Sequence, residues 1–200
     1  MIAVLDYGIG NLRSAQKALE KVGADAVLVT DASAAAGARG VVLPGVGAFG
    51  RCMEALRASG LDLVALDAIR SGTPFLGVCV GLQMLYRWSE ESPDVPGLGV
   101  IEGKVRALPD TVKRPQMQWN VVEPTGRPSA LVEGLGRPAW AYFVHSFAPD
   151  PTEDVVATCD YGGQVVAAIE RDNLWGTQFH PEKSGTVGLR LLEGFAKACA

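Results

Sequence analysis

Short apolar runs alternate with amphipathic stretches through the first half of the chain. Ile2 to Leu5 is wholly apolar and stops at Asp6-Tyr7-Gly8-Ile9-Gly10. From Asn11 to Val22 the period becomes helical, with Leu12, Ala15, Leu19 and Val22 on one face, Arg13, Lys17 and Lys21 off it, and Asn11 placed as a cap. A second apolar run, Ala26 to Val29, ends near Asp31, so the opening reads as a βαβ unit. A third, Gly40 to Leu43, enters the glycine-rich Pro44-Gly45-Val46-Gly47-Ala48-Phe49-Gly50, and helices are expected over Arg51 to Ser59 and Leu61 to Ile69. Phe75 to Val78 then runs into Gly77-Val78-Cys79-Val80-Gly81, with Leu82, Leu85 and Tyr86 on one side of a helix-like continuation.

Past residue 89 the pattern changes. Ser89 to Gly99 is polar and rich in Pro and Gly, which predicts a loop. Strands are expected at Gly99 to Val105, Gln116 to Val122, Ala139 to Phe147, Val155 to Tyr161 and Gln164 to Glu170, with a turn at Asp172-Asn173 leading into Leu174 to His180. Ser184 to Cys199 closes as a helix with Arg190, Glu193 and Lys197 on one stripe. The prediction is an α/β fold: a doubly wound, mixed but mainly parallel sheet with flanking helices and sites at the carboxyl ends of its strands.

Composition narrows the classes without naming one. Two hundred residues, 48% of them hydrophobic, fit a single domain over 1–200 with a sizeable core. The net charge of -4 lacks the basic field of a nucleic-acid binder. No apolar run approaches the roughly 20 residues that span a bilayer, and Met1 leads into a strand-like run with no positive leader segment. The cysteines at 52, 79, 159 and 199 form neither a C-x-x-C pair nor a metal-ligand cluster, which fits a reducing cytoplasm and predicts no metal and no cofactor. Gly8-x-Gly10 after a strand invites a dinucleotide reading, but Arg13 stands where its third glycine belongs.

Chemistry enters with Cys79. A residue between two glycines at a strand-to-helix turn matches a nucleophile elbow, where small neighbours let strand and helix approach. The amides of the following helix would favour thiolate over thiol. Cys52, Cys159 and Cys199 read as ordinary buried or semi-buried thiols. A cysteine nucleophile needs a base, and the chain has two histidines, His145 and His180. His180 ends an apolar strand, and Glu182 can point the same way if extended backbone persists through Pro181, orienting the imidazole. Alone, His180-Pro181-Glu182 reads equally as a strand-end turn. The loop from Pro44 to Gly47 can present amides to an oxyanion or simply be a surface loop.

The segments Gly77-Val78-Cys79-Val80-Gly81-Leu82-Gln83 and His180-Pro181-Glu182 together resemble the paired signatures of class I (triad) glutamine amidotransferases, over essentially the whole chain. Asp6-Tyr7-Gly8-Ile9-Gly10-Asn11-Leu12, Pro44-Gly45-Val46-Gly47-Ala48-Phe49, Met117-Gln118-Trp119-Asn120, Tyr142-Phe143-Val144-His145-Ser146-Phe147 and His180 to Ser184 are similar to the glutaminase subunits of imidazole glycerol phosphate synthases. Val80 stands where Leu is commoner in that family, and Gln118 where Gly is usual.

The resemblance implies a Cys79, His180, Glu182 triad acting on glutamine, with the oxyanion held by the Val80 amide and an amide of Gly45, Val46 or Gly47. It places Gln83 and Glu91 around the amino-acid moiety, and His145, Ser146 and Tyr142 near the site. Taken alone, Glu91 could be a solvated acid and His145 a core histidine. Ammonia loses its nucleophilic lone pair on protonation in water, so it needs a closed path to an acceptor. In the family the acceptor is a (β/α)8-barrel cyclase subunit, the pair forming a heterodimer in histidine biosynthesis. Asn11, Trp119, Asn120, Tyr142 and Lys183 are the residues expected at that interface. Competing readings are another thiol hydrolase of α/β form, a glutaminase serving a different synthase, and a regulatory subunit, the last of which should have lost a triad residue.

Overall fold

The computed structural model describes residues 1–200. Strand β1 (Ile2–Leu5), helix α1 (Leu12–Lys21) and strand β2 (Ala26–Val29) form the opening βαβ unit, followed by β3 (Gly40–Gly45), α2 (Phe49–Ala58), α3 (Leu61–Ser71) and β4 (Phe75–Cys79). Beyond the elbow come α4 (Val80–Gln83), β5 (Tyr86–Ser89), β6 (Ile101–Ala107), β7 (Gln116–Val121), β8 (Glu123–Pro124) and α5 (Ala130–Glu133). The chain ends with β9 (Trp140–His145), β10 (Phe147–Pro149), β11 (Val155–Asp160), β12 (Gln164–Arg171), β13 (Leu174–Thr177), a 3₁₀ turn at Pro181–Lys183 and α6 (Gly185–Ala198).

The main sheet has eight strands in the order β2-β1-β3-β4-β13-β12-β11-β8. The first five are mutually parallel, and β12, β11 and β8 extend the sheet antiparallel. Strands β1, β3 and β4 are buried along their whole length, as parallel strands covered on both faces must be. One hydrophobic cluster of 57 buried residues runs through sheet and helices. A three-stranded sheet, β10-β6-β5, and a two-stranded ribbon, β7-β9, flank this frame.

Several sequence expectations change here. The helical continuation after Cys79 is only four residues long, and Tyr86 begins β5 instead of completing a helical face. Backbone pairing with the following loop ends the helix: Leu98 N–H donates to the Met84 carbonyl, and Val100 and Ile101 N–H to that of Leu85. The expected strand from Ala139 to Phe147 breaks at Ser146, because Trp140–His145 pairs with β7 whereas Phe147–Pro149 pairs with β6. Leu174 to His180 stays a strand only to Thr177. Asn11 occupies the cap position of α1 without capping it.

Candidate active site

The chemistry converges because three neighbouring strands end together. Parallel registry sets Gly45 of β3 opposite Cys79 of β4, and Thr177 of β13 opposite Val78. The loop after β3, the elbow cysteine and the residues following β13 therefore meet at one carboxyl edge, where ligand sites of open α/β sheets lie. Cys79 adopts φ +55°, a left-handed conformation rare for a side-chain-bearing residue. The flanking glycines are required by contact. A Cβ on Gly81 would lie 1.9 Å from the Leu43 carbonyl oxygen, one on Gly77 2.9 Å from the Gly81 oxygen, and one on Gly45 2.7 Å from the Gly81 nitrogen.

Cys79 and His180 are both buried at the wall of a cavity of about 610 Å³. Nδ1 of His180 lies 2.8 Å from Oε1 of Glu182, and Nδ2 of Asn11 donates to the same oxygen at 3.1 Å. The carboxylate is placed by the 3₁₀ turn at Pro181–Lys183, not by an extended strand as the sequence suggests. Burial alone would lower the pKa of His180, but the neighbouring Cys79 sulfur and then Glu182 outweigh it and hold the imidazole well above its usual range. Nε2 of His180 is buried without a hydrogen-bond partner, in the same cavity wall as Cys79. Burial would raise Glu182, yet the bond and charge of His180, with Asn11, hold it below the ordinary carboxylate value.

The cavity is also lined by Val46, Gly47, Val80, Gln83, Glu91, His145, Ser146 and Lys183. Nδ1 of His145 lies 2.9 Å from the Phe147 carbonyl oxygen, which fixes the proton on Nδ1 and leaves Nε2 as an acceptor. That Nε2 is buried and unpartnered. Burial pushes His145 down to about 4, with the His180 charge adding to the effect against the Phe147 bond. Tyr7 Oη donates to the Pro44 carbonyl at 2.6 Å, which anchors the start of the glycine loop, whereas the Val46 carbonyl is held only by the Cys52 thiol at 3.2 Å.

A family model described as glutamine amidotransferase class-I matches residues 3–199. The chain belongs to that family. The imidazole glycerol phosphate synthase subunit HisH of Methanothermobacter thermautotrophicus is 49% identical over 98% of this chain and 98% of its own, and that of Symbiobacterium thermophilum 46% identical over 98% and 93%. The chain belongs with these HisH subunits within the family. Among solved structures, a glutamine amidotransferase aligns with a TM-score of 0.75 at 23% identity over 99% of this chain and 98% of its own. PurLQS from Thermotoga maritima aligns at 0.78 and 18% over 98% and 97%. These two show the shared fold.

Most of the residues expected of a class I amidotransferase line this cavity. Cys79, His180 and Glu182 come together, and Val80 and the loop from Gly45 to Gly47 flank them. Glu91 is not a solvated acid: its Oε2 accepts the Phe49 amide at 2.7 Å at the first turn of α2, from a position at the cavity wall. Trp119 and Tyr142 meet edge to face across the β7-β9 ribbon at 6.1 Å, and Lys183 Nζ lies 6.0 Å from the Tyr142 ring. Asn120 alternates to the opposite face of the ribbon, where its Nδ2 donates to the Asp160 carbonyl at 2.9 Å. Asn11, expected at an interface, has its amide committed to Glu182.

Sequence reasoning missed Gln178. It is fully buried, and its Nε2 lies 3.6 Å from the Cys79 sulfur. Gln83 Nε2 donates both to Gln178 Oε1 at 3.0 Å and to the Phe147 carbonyl at 2.8 Å. The available signal was a glutamine inside an otherwise apolar strand end, two residues before the histidine.

Proposed function

We propose that Cys79, His180 and Glu182 hydrolyse glutamine to glutamate and ammonia, and that the ammonia passes to a (β/α)8-barrel cyclase subunit making imidazole glycerol phosphate. The observation that carries this reading is the His180 to Glu182 contact at 2.8 Å, which holds Nδ1 and leaves Nε2 unpartnered in the cavity wall that also carries the elbow cysteine. In the first half-reaction the Cys79 thiolate attacks the side-chain amide carbon, and the carbonyl π pair moves onto oxygen. The Val80 amide and one from Gly45 to Gly47 supply donors to that oxyanion. The C–N bond then breaks, the nitrogen takes the proton held on His180 Nε2, and ammonia leaves a glutamyl thioester. Water next attacks the thioester carbon, giving its proton back to His180. The C–S bond breaks and glutamate departs, regenerating the thiolate. Glu182, steadied by Asn11, keeps the ring oriented and stabilises its cation.

Gln83 has both amide hydrogens committed, so it meets the glutamine amino-acid group only through Oε1, which accepts. Glu91, His145 Nε2 and Ser146 complete that wall. The exposed Trp119 and Lys183, with the half-buried Tyr142 ring beside both, support a partner seated on this face. Free, buried cysteines support a reducing, cytoplasmic setting. The chain is read as one glutamine amidotransferase domain throughout.

The test is Cys79→Ala in complex with the cyclase subunit. Glutamine-dependent synthesis should fall to background while synthesis from added ammonium persists. Loss of both would assign the cysteine a structural role, and glutamine hydrolysis stimulated only by a different synthase would redirect the ammonia.

A further inference from the structure

Gln178 follows β13 in register with the end of β4, so the sheet itself sets its side chain against the elbow cysteine. A fully buried primary amide has two donors and an acceptor to satisfy, and here each contact dictates the next. The Phe147 carbonyl can only accept, so the Gln83 group facing it must be the amino group. The second hydrogen of that nitrogen points at Gln178, which must therefore present Oε1. Gln178 Nε2 is left facing the Cys79 sulfur at 3.6 Å, within reach of an N–H to sulfur hydrogen bond. A backbone carbonyl that cannot be reversed thus fixes the polarity of two side chains and aims a donor at the nucleophile.

We propose that Gln178 is a further residue of the reaction site, holding the Cys79 sulfur as thiolate through a donated hydrogen bond whose direction is set by Gln83 and Phe147. The inference rests on the glutaminase reading. Turned the other way, Gln178 would present oxygen to the sulfur and favour the S–H form, while two amino groups opposed each other. The bond is made to the free thiolate and weakens once the sulfur is a thioester, so it also favours the sulfur as leaving group when water attacks. Stabilising a thiolate lowers its intrinsic nucleophilicity by less than it raises its population, because the Brønsted coefficient is about 0.4–0.5. A net gain at neutral pH follows.

The test is the rate of iodoacetamide alkylation at Cys79, followed by peptide mass spectrometry from acid to alkaline pH in the full-length chain. Gln178→Met keeps length and removes the donor, and Gln178→Glu keeps the acceptor toward Gln83 while losing the neutral donor. Circular dichroism establishes that each variant is folded. Gln178→Met should move the midpoint of the alkylation curve up by about one pH unit; with that Brønsted coefficient the acid limb slows about threefold while the alkaline plateau rises about threefold. Gln178→Glu should move it further. A residue that merely fills space would leave the midpoint in place, and that result overturns the proposal. A wild-type measurement stands beside it: the ¹⁵N-labelled side-chain amide of Gln178 should shift with the same midpoint as alkylation, and a signal that ignores that midpoint also overturns it. If wild-type Cys79 reacts no faster than Cys52, Cys159 and Cys199, and glutamine is not hydrolysed, the glutaminase reading itself has failed. A reactive wild-type cysteine with unmoved variants defeats this inference alone.

Discussion

The two histidines carry opposite electrostatic assignments within one cavity. His145 is held neutral, chiefly by burial, whereas His180 is held cationic by the sulfur and carboxylate beside it. With no other histidine in the chain, imidazole ¹⁵N NMR should show one ring titrating near 4 and one protonated through neutrality. In Cys79→Ala the second ring loses the leading contribution that raises it, and its titration should drop toward the ordinary imidazole range; an unmoved titration would mean that the sulfur does not act on it. His145 also makes a statement about stability. The unfolded chain takes up this proton near the ordinary value of about 6.5, the folded chain only near 4, so stability falls as pH drops through that window. The term amounts to about 3 kcal/mol at most by linkage. Urea titrations should show it, and His145→Gln should flatten that slope. At this scale Cys79 and His180 were legible because their residue types and flanking glycines are tied to chemistry. Glu91 was legible only through the family resemblance and Gln178 not at all, because both depend on partners far away in sequence, at Phe49, Cys79 and Gln83.

Among the elements, the parallel half was readable because buried parallel strands are near-continuous apolar runs, as at Ile2–Leu5 and Phe75–Cys79. The elbow helix was misjudged because Leu82, Leu85 and Tyr86 fit a helical period that long-range backbone pairing interrupts. The short α5 has no periodicity to read. The pattern around Ser146 reads as one strand because nothing local records that its two ends pair in different sheets. Close backbone approach gives the elbow a measurable cost. Gly81→Ala must displace the Leu43 carbonyl or α4, and overpacking of this sort costs about 1–3 kcal/mol. A fall in Tm of several degrees is expected. Gly134→Ala, where a Cβ meets open space at negative φ, serves as the control and should leave Tm nearly unchanged. Equal effects would remove contact as the reason for glycine at 81.

For the whole molecule, the order β2-β1-β3-β4-β13 was not fully deducible, since β13 is separated from its neighbour β4 by about half the chain. The adjacency nonetheless assembles the site. The peptide after Val46 is secured through a thiol, a weak donor, so the glycine loop can rearrange at low cost. Hydrolysis by the isolated chain is therefore expected to be slow and to rise at least about tenfold when the cyclase subunit and its nucleotide ligand are added, within the usual range of coupling between sites. Ammonia release measured with and without that subunit decides it, and full turnover by the isolated chain would remove the idea.

Tyr142 belongs to two surfaces at once. Its ring lies beside Trp119 and Lys183, while its N–H donates to the Ser184 hydroxyl oxygen at 3.0 Å and its carbonyl accepts the His180 N–H at 3.0 Å. A body resting on that ring is one residue from the backbone of the base. News of docking can thus reach the imidazole without crossing the hydrophobic interior, and mutations that tune the response should cluster in this short ribbon and spare the core.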